Sequence, residues 1–336
     1  MKKIILVMAA LITHFAWSND IGQEIQSLDD KYRNFMEYPI LIFNKQEIIE
    51  KLSGDQESDI QIVKEEVLKK YSLAISDNDA DDILTYHTKL NGSATSLRFK
   101  NSGFCAVFPA QIENNRDAEV KRLLGISNQY NPYPQYIIEK AKSIVTLEEL
   151  QLMSLYHELA HCLDDNYIPK NEYTNSHSIH LAEAYAESLG LMLLQQKYNF
   201  SNLFLRRAAL RAVYAKYFGK LLLTDPSIMV FEEYEREMGI AYDLSTVLLA
   251  AQDLNIRKKS IHELKQLAFT IVEGNSTPSR TISAIRFYLE NDKEKALEKY
   301  HDYALSSPDL FFRTYLNLSH KIDFYEKELD LLLESI

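Results

Sequence analysis

The period of the apolar positions changes twice along the chain. Between residues 28 and 84 it is helical, clearest over Gln46 to Leu52 and Ile60 to Tyr71, where charged residues fill the outer face. Ser53-Gly54-Asp55 and the acidic run Asp77 to Asp82 read as breaks, the latter as solvated surface. The period then shortens to two. Leu84 to Leu90, Thr95 to Phe99 and Phe104 to Phe108 predict short strands, turning at Asn91-Gly92 and at Asn101-Ser102-Gly103 and ended by Pro109. A helix around Ala118 to Leu124 and a Tyr/Pro/Asn loop from Asn128 to Tyr136 follow. Thr146-Leu147-Glu148-Glu149 is a capping box that opens a firm helix, stopped by Asp164-Asp165-Asn166 and Pro169. A second strong helix is predicted from about Ser178 to Gln196. From Leu203 onward the pattern is helical throughout, punctuated at Gly219, Asp225-Pro226, Gly274-Asn275 and Ser306-Ser307-Pro308. The expected fold class is α+β and predominantly helical: a small antiparallel or mixed sheet, a buried helix, then an all-helical C-terminal half.

The helix after the capping box carries the chemistry. Between Leu150 and Leu163 it carries no acidic or basic side chain besides His157, Glu158 and His161. One helical turn separates the two histidines, about 40° apart on one face, and Glu158 projects to their side. Apolar residues occupy both faces, so the helix should be buried. A buried carboxylate beside two imidazoles costs several kcal/mol unless a cation balances it. The H-E-x-x-H string is one in which two imidazoles hold zinc and the carboxylate acts as general base.

A catalytic zinc needs a third protein ligand and an open position. The next predicted helix offers Glu183-Ala184-Tyr185-Ala186-Glu187, whose glutamates share a face by i,i+4 spacing. One can bind metal while the other accepts the outer N–H of a ligating imidazole. Without a cation the two would repel on an otherwise apolar face.

His157-Glu158-x-x-His161 followed by Glu183-x-x-Ala186-Glu187 resembles the gluzincin superfamily of zinc metallopeptidases, which includes the thermolysin-like enzymes. The resemblance spans about 40 residues, from roughly Thr146 to Gly190. It implies one zinc ion per chain on His157, His161 and Glu183, with Glu158 as the catalytic base and Glu187 hydrogen-bonded to a ligand imidazole. Glu187 departs from the family, which usually has Asp there. The resemblance also implies a sheet-edge strand that holds extended substrate, with Phe104 to Phe108 as its candidate. An oxyanion donor, His or Tyr, is expected from the helical C-terminal half. His180, one turn before Glu183, is a candidate for that role or for support of a ligand; the plainer reading is a surface histidine near the helix start. His177 and Tyr185 are weaker candidates. His262, His301 and His320 read as surface or core, and Arg206, Arg207 and Arg211 as a basic helical patch, solvated or paired with acids.

Composition narrows the setting. The chain has 336 residues, 46% hydrophobic, with a formal net charge of −11, which argues against nucleic acid and against adhesion to anionic lipid. Lys2, Lys3, the apolar run Ile4 to Ile12 and Ala16-Trp17-Ser18 read as a bacterial-type signal peptide, too short to span a bilayer permanently. The expectation is an exported protein, periplasmic or secreted, maturing near Asn19. In that compartment Cys105 and Cys162 can pair; two buried free thiols are the alternative. The expected organisation is 1–18 signal peptide, 19–145 α+β subdomain with edge strands, 146–196 zinc-binding helix pair and 197–336 helical subdomain. The expected function is peptide-bond hydrolysis on a peptide or protein substrate, through a zinc-activated water and Glu158. The rival is a non-catalytic exported scaffold or adaptor with a structural or vestigial zinc site. The sequence fixes neither cleavage specificity nor oligomeric state.

Overall fold

The computed structural model describes residues 20–35, 39–43, 48, 50–88, 94–110, 135–167, 176–210, 251 and 254–275. The expected signal peptide, the expected helix around Ala118 to Leu124, most of the expected Asn128 to Tyr136 loop and nearly all the expected punctuation beyond Leu210 lie outside those residues. The fold is α+β and predominantly helical, with a small mixed sheet. It divides into two compact units. The first comprises Met1–Tyr133 with Val145–Cys162, the second Pro134–Ile144 with Leu163–Ile336.

In the first unit the described elements are α1 (Asp20–Tyr32), β1 (Ile40–Ile42), α2 (Gln56–Tyr71), α3 (Asp77–Thr88), β2 (Thr95–Phe99) and β3 (Phe104–Phe108). The same unit holds α5 (Leu147–Cys162). The strand order is β1-β3-β2, with β1 parallel and β2 antiparallel to β3. Gly103, at φ 68°, closes the β2–β3 hairpin in a backbone region that only glycine adopts freely, and its N–H donates to the Phe99 carbonyl at 2.8 Å.

Register sorts the sheet into two faces. Leu41, Ala106 and Leu97 stand in line, and with Phe99, Phe104 and Phe108 they join Val63, Val67, Ala80, Ile83 and Leu84 of α2 and α3 in one core. The opposite face carries Ile40, Ile42, Cys105, Val107, Ser96 and Arg98, and this is the face that meets α5.

Four readings need correction here. Leu84 to Leu90 does not begin as a strand: Leu84 lies inside α3, because Ala80, Ile83 and Leu84 form one buried helical face. The acidic run from Asp77 is the first turn of that helix, where negative charge is favoured. Asp79 is buried there and accepts hydrogen bonds from Ser76 and Ser102. Ile40–Ile42 is a strand inside a stretch read as helical; three residues are too few to show a period. Finally, Phe104–Phe108 is the middle strand, fully buried, and β2 is an edge of the sheet among the described residues.

The second unit holds α4 (Gln135–Ile144), α6 (Ser176–Tyr198), a helical stretch over 203–210 and α7 (Ile261–Asn275). α6 and α7 pack together, and α6 is apolar nearly all round between Ala182 and Leu194. Ser260 and Glu263 cap α7 reciprocally, Ser260 N–H to Glu263 Oε2 at 2.7 Å and Glu263 N–H to Ser260 Oγ at 3.3 Å. Lys265 of α7 pairs with Asp165, and Tyr167 donates to Glu273 at 2.7 Å. Burial and that acceptor raise the Tyr167 hydroxyl above its ordinary range.

Candidate metal centre

The helix that carries H-E-x-x-H is α5, Leu147–Cys162. It starts where the capping box predicts: Thr146 N–H donates to Glu149 Oε2 at 2.9 Å, and Glu149 N–H to Thr146 Oγ1 at 3.1 Å. It ends at Cys162, shortly before Asp164, whose Oδ1 accepts the N–H groups of Asn166 (2.7 Å) and Tyr167 (3.0 Å). Leu150, Leu152, Met153, Leu155 and Leu159 bury their side chains, as both faces being apolar requires.

Three attachments hold the C-terminal half of α5 to the sheet. Cys105 of β3 and Cys162 form a disulfide, with Cα atoms 5.7 Å apart. Arg98 of β2 donates to the carbonyls of His161 (3.1 Å) and Cys162 (2.9 Å), placing a cation where the helix dipole leaves negative charge. Ser96, two residues earlier on the same face of β2, donates its hydroxyl to Glu158 Oε2 at 2.8 Å. The motif is therefore clamped on its sheet side by alternate residues of one strand.

The imidazoles of His157 and His161 meet edge to face, with the two Nε2 atoms 3.1 Å apart. Zinc–nitrogen bonds of 2.0–2.1 Å at a tetrahedral angle set two ligand atoms about 3.3 Å apart. The pair already stands near that spacing. One ligand atom each of His157, His161 and Glu183 lies within 4.8 Å of the others, so this group could hold a metal ion. Two nitrogens and one carboxylate oxygen suit a borderline divalent cation. His161 is buried, 7% exposed.

Glu187 has a partner that the sequence reading missed. Its carboxylate, 2% exposed, pairs with the Arg207 guanidinium, 4% exposed, Nε to Oε1 at 2.5 Å. Of the two readings of Arg207, solvated or paired with an acid, the pair holds. Its neighbour Arg206 donates to the carbonyls of Ser201 (3.0 Å) and Ile144 (3.2 Å). The repulsion argued for Glu183 and Glu187 is accordingly divided: Arg207 meets the charge of Glu187, while Glu183 groups with the histidines. Tyr185, between them, is fully buried with its ring edge against Tyr167. His180 and His177 lie on α6, but their side chains fall outside the described residues, as do Arg211, His301 and His320. His262 is exposed on the first turn of α7.

Ser96 and Arg98 also escaped the sequence reading. Their signal was the alternation of polar Ser96 and Arg98 with apolar Leu97 and Phe99, which reads as a solvent face unless the packing of α5 is known. Compared with protein-family models, with curated proteins and with solved structures, the chain finds no match in any of the three.

Proposed function

We propose that this protein is an exported zinc metallopeptidase of the gluzincin type, hydrolysing peptide bonds with Glu158 as general base. One observation carries the reading: two imidazole nitrogens 3.1 Å apart, grouped with a Glu183 oxygen, directly beside a glutamate oriented by Ser96. His157, His161 and Glu183 would hold the ion. When bound, zinc supplies a Lewis acid that acidifies water and polarises a carbonyl.

The chain's own residues do the rest. Ser96 occupies Glu158 Oε2, which leaves Oε1 to take the proton of an attacking water and return it to the leaving amine nitrogen. Arg98 and the disulfide hold the end of α5 so that His161 does not drift from His157. Arg207 neutralises Glu187, which keeps a second negative charge from competing with Glu183 for the ion. Export is supported by the Cys105–Cys162 disulfide, a bond that persists in oxidising compartments. Among the described residues no helix is long and apolar enough to cross a membrane.

The test uses full-length protein purified without added metal. Elemental analysis should find about one zinc per chain, and a peptide-library digest read by mass spectrometry should show cleavage that chelator abolishes and zinc restores. Glu158→Gln should keep the metal and lose turnover by about 10²–10⁴-fold. Bound zinc with no cleavage would instead favour the exported scaffold with a structural zinc; cleavage indifferent to Glu158→Gln would overturn the role of Glu158 as base.

A further inference from the structure

α5 ends at Cys162, so His161 stands in the last turn of its helix, whereas His157 lies a turn further in. Last turns fray, because their final carbonyls have no partner within the helix. A metal ligand placed there keeps its position only if something outside the helix pins the turn that carries it.

Two ties do so, and both start from one place in the sheet. Arg98 of β2 and Cys105 of β3 are direct cross-strand partners. Arg98 donates to the carbonyls of His161 and Cys162, and Cys105 is bonded covalently to Cys162, the residue after the ligand. The covalent tie thus fixes the distance between sheet and helix end on which the Arg98 hydrogen bonds depend. The two ties respond differently to their surroundings. A guanidinium stays charged everywhere. A disulfide persists where the compartment oxidises and stands open as two thiols where it reduces. The chain has only two cysteines, and both are placed at this turn.

We infer that the Cys105–Cys162 bond is a redox switch for the metal centre: the reduced chain folds but holds zinc loosely, and closing the bond tightens the grip, so that the centre is armed only after export. The inference rests on the proposed exported zinc centre and names its regulation. The bond closes by exchange with a disulfide-class oxidant such as oxidised glutathione. The two cysteine thiols give up two protons and two electrons, and the oxidant takes them and leaves as two thiols. Both cysteines are buried, so the switch is set as the chain folds and is not reversed in the native protein. Ordering the last turn in advance removes a cost that zinc binding would otherwise have to meet.

Full-length protein is refolded from denaturant in a phosphine reductant and, in parallel, in oxidised glutathione. Zinc affinity is read by competition with a chromogenic chelator, and helix content by circular dichroism. The reduced chain should keep its helix content and bind zinc about tenfold or more weakly than the oxidised chain. Moving it into oxidised glutathione should restore the affinity. Cys105→Val with Cys162→Ala, which refills the space of the sulfurs and leaves no thiol to bind zinc, should match the reduced chain in either buffer. Coupling is reciprocal, so saturating zinc should shift the glutathione equilibrium of the bond toward the oxidised form by the same factor. Should the reduced chain fail to fold, the double variant decides. Equal zinc affinity with and without the bond overturns the inference. So does loss of the whole fold in both the reduced chain and the double variant, which would make the bond a plain staple. Tight zinc in the oxidised chain alone, with no peptide cleaved, would sink the peptidase reading and leave this inference standing. Zinc held by neither form sinks both.

Discussion

α2 and α5 are each 16 residues long, each opened by a side-chain cap, and both belong to the same unit. They sit on opposite faces of one sheet, yet they use their polar residues differently. α2 buries Asp59, Val63 and Val67 and turns its other charges outward, into pairs such as Lys64–Asp77 and Lys51–Glu66. α5 buries most of its length and keeps only a few polar groups, each met by a specific partner: Tyr156 by Glu24, Glu158 by Ser96, His161 by His157. A helix bathed on one side can carry charge anywhere on that side. A helix covered on both sides carries it only where the surroundings compensate, so its buried polar residues come with partners.

The sharpest way to break the comparison is to remove a polar group from each helix. His161→Ala should lower zinc affinity by on the order of 100-fold or more, read by competition with a chromogenic chelator. No substitution of an exposed α2 charge should change it. If Lys64→Ala altered metal content, the assignment of chemistry to α5 alone would be wrong.

Next in size is the anchoring of α5. Cys105→Ala with Cys162→Ala opens a loop of 57 residues and should cost about 2–5 kcal/mol in urea unfolding. Both sulfurs are buried, so mild reductant should spare the native bond until the protein unfolds.

The caps give a smaller and pH-dependent contrast. Thr146→Ala should cost about 1 kcal/mol. At Asp55, hydrogen bonds from the Ser58 hydroxyl and N–H hold the carboxyl below its ordinary value. A lowered folded pKa means its stabilisation is present above pH 3.8 and is lost as pH falls through the lowered value. The effect of Asp55→Ala should therefore be visible at pH 7 and vanish in acid, whereas the Thr146 hydroxyl does not titrate. Smallest of all, Lys64→Ala should shift stability by about 0.5 kcal/mol or less, since its pair with Asp77 is solvated. A larger loss would show that α2 is not the plain surface helix it looks.

Legibility followed distance along the chain. The Thr146–Glu149 box, the i,i+4 histidines, the Gly103 turn and the Asp164 stop are all settled within four residues, and each was readable from the sequence and stands in the structure. The Cys105–Cys162 pairing was readable as one of two options, because only two cysteines exist. Errors arose where a local pattern was outvoted by packing. Leu84 alternates with polar neighbours yet completes the helical face of Ala80 and Ile83. Ile40–Ile42 becomes a strand because β3 lies beside it.

The sequence by itself determined which helix would be buried, where it begins and ends, and that two imidazoles and a carboxylate crowd one of its turns. Backbone geometry repeats every few residues, so spacing alone dictates which side chains share a face. Only the tertiary structure decided that Ser96 and Arg98 clamp that helix, that Arg207 pairs with Glu187 and that β3 is central. Those contacts join residues tens of positions apart, and their pairing depends on how whole surfaces fit, which no local pattern encodes.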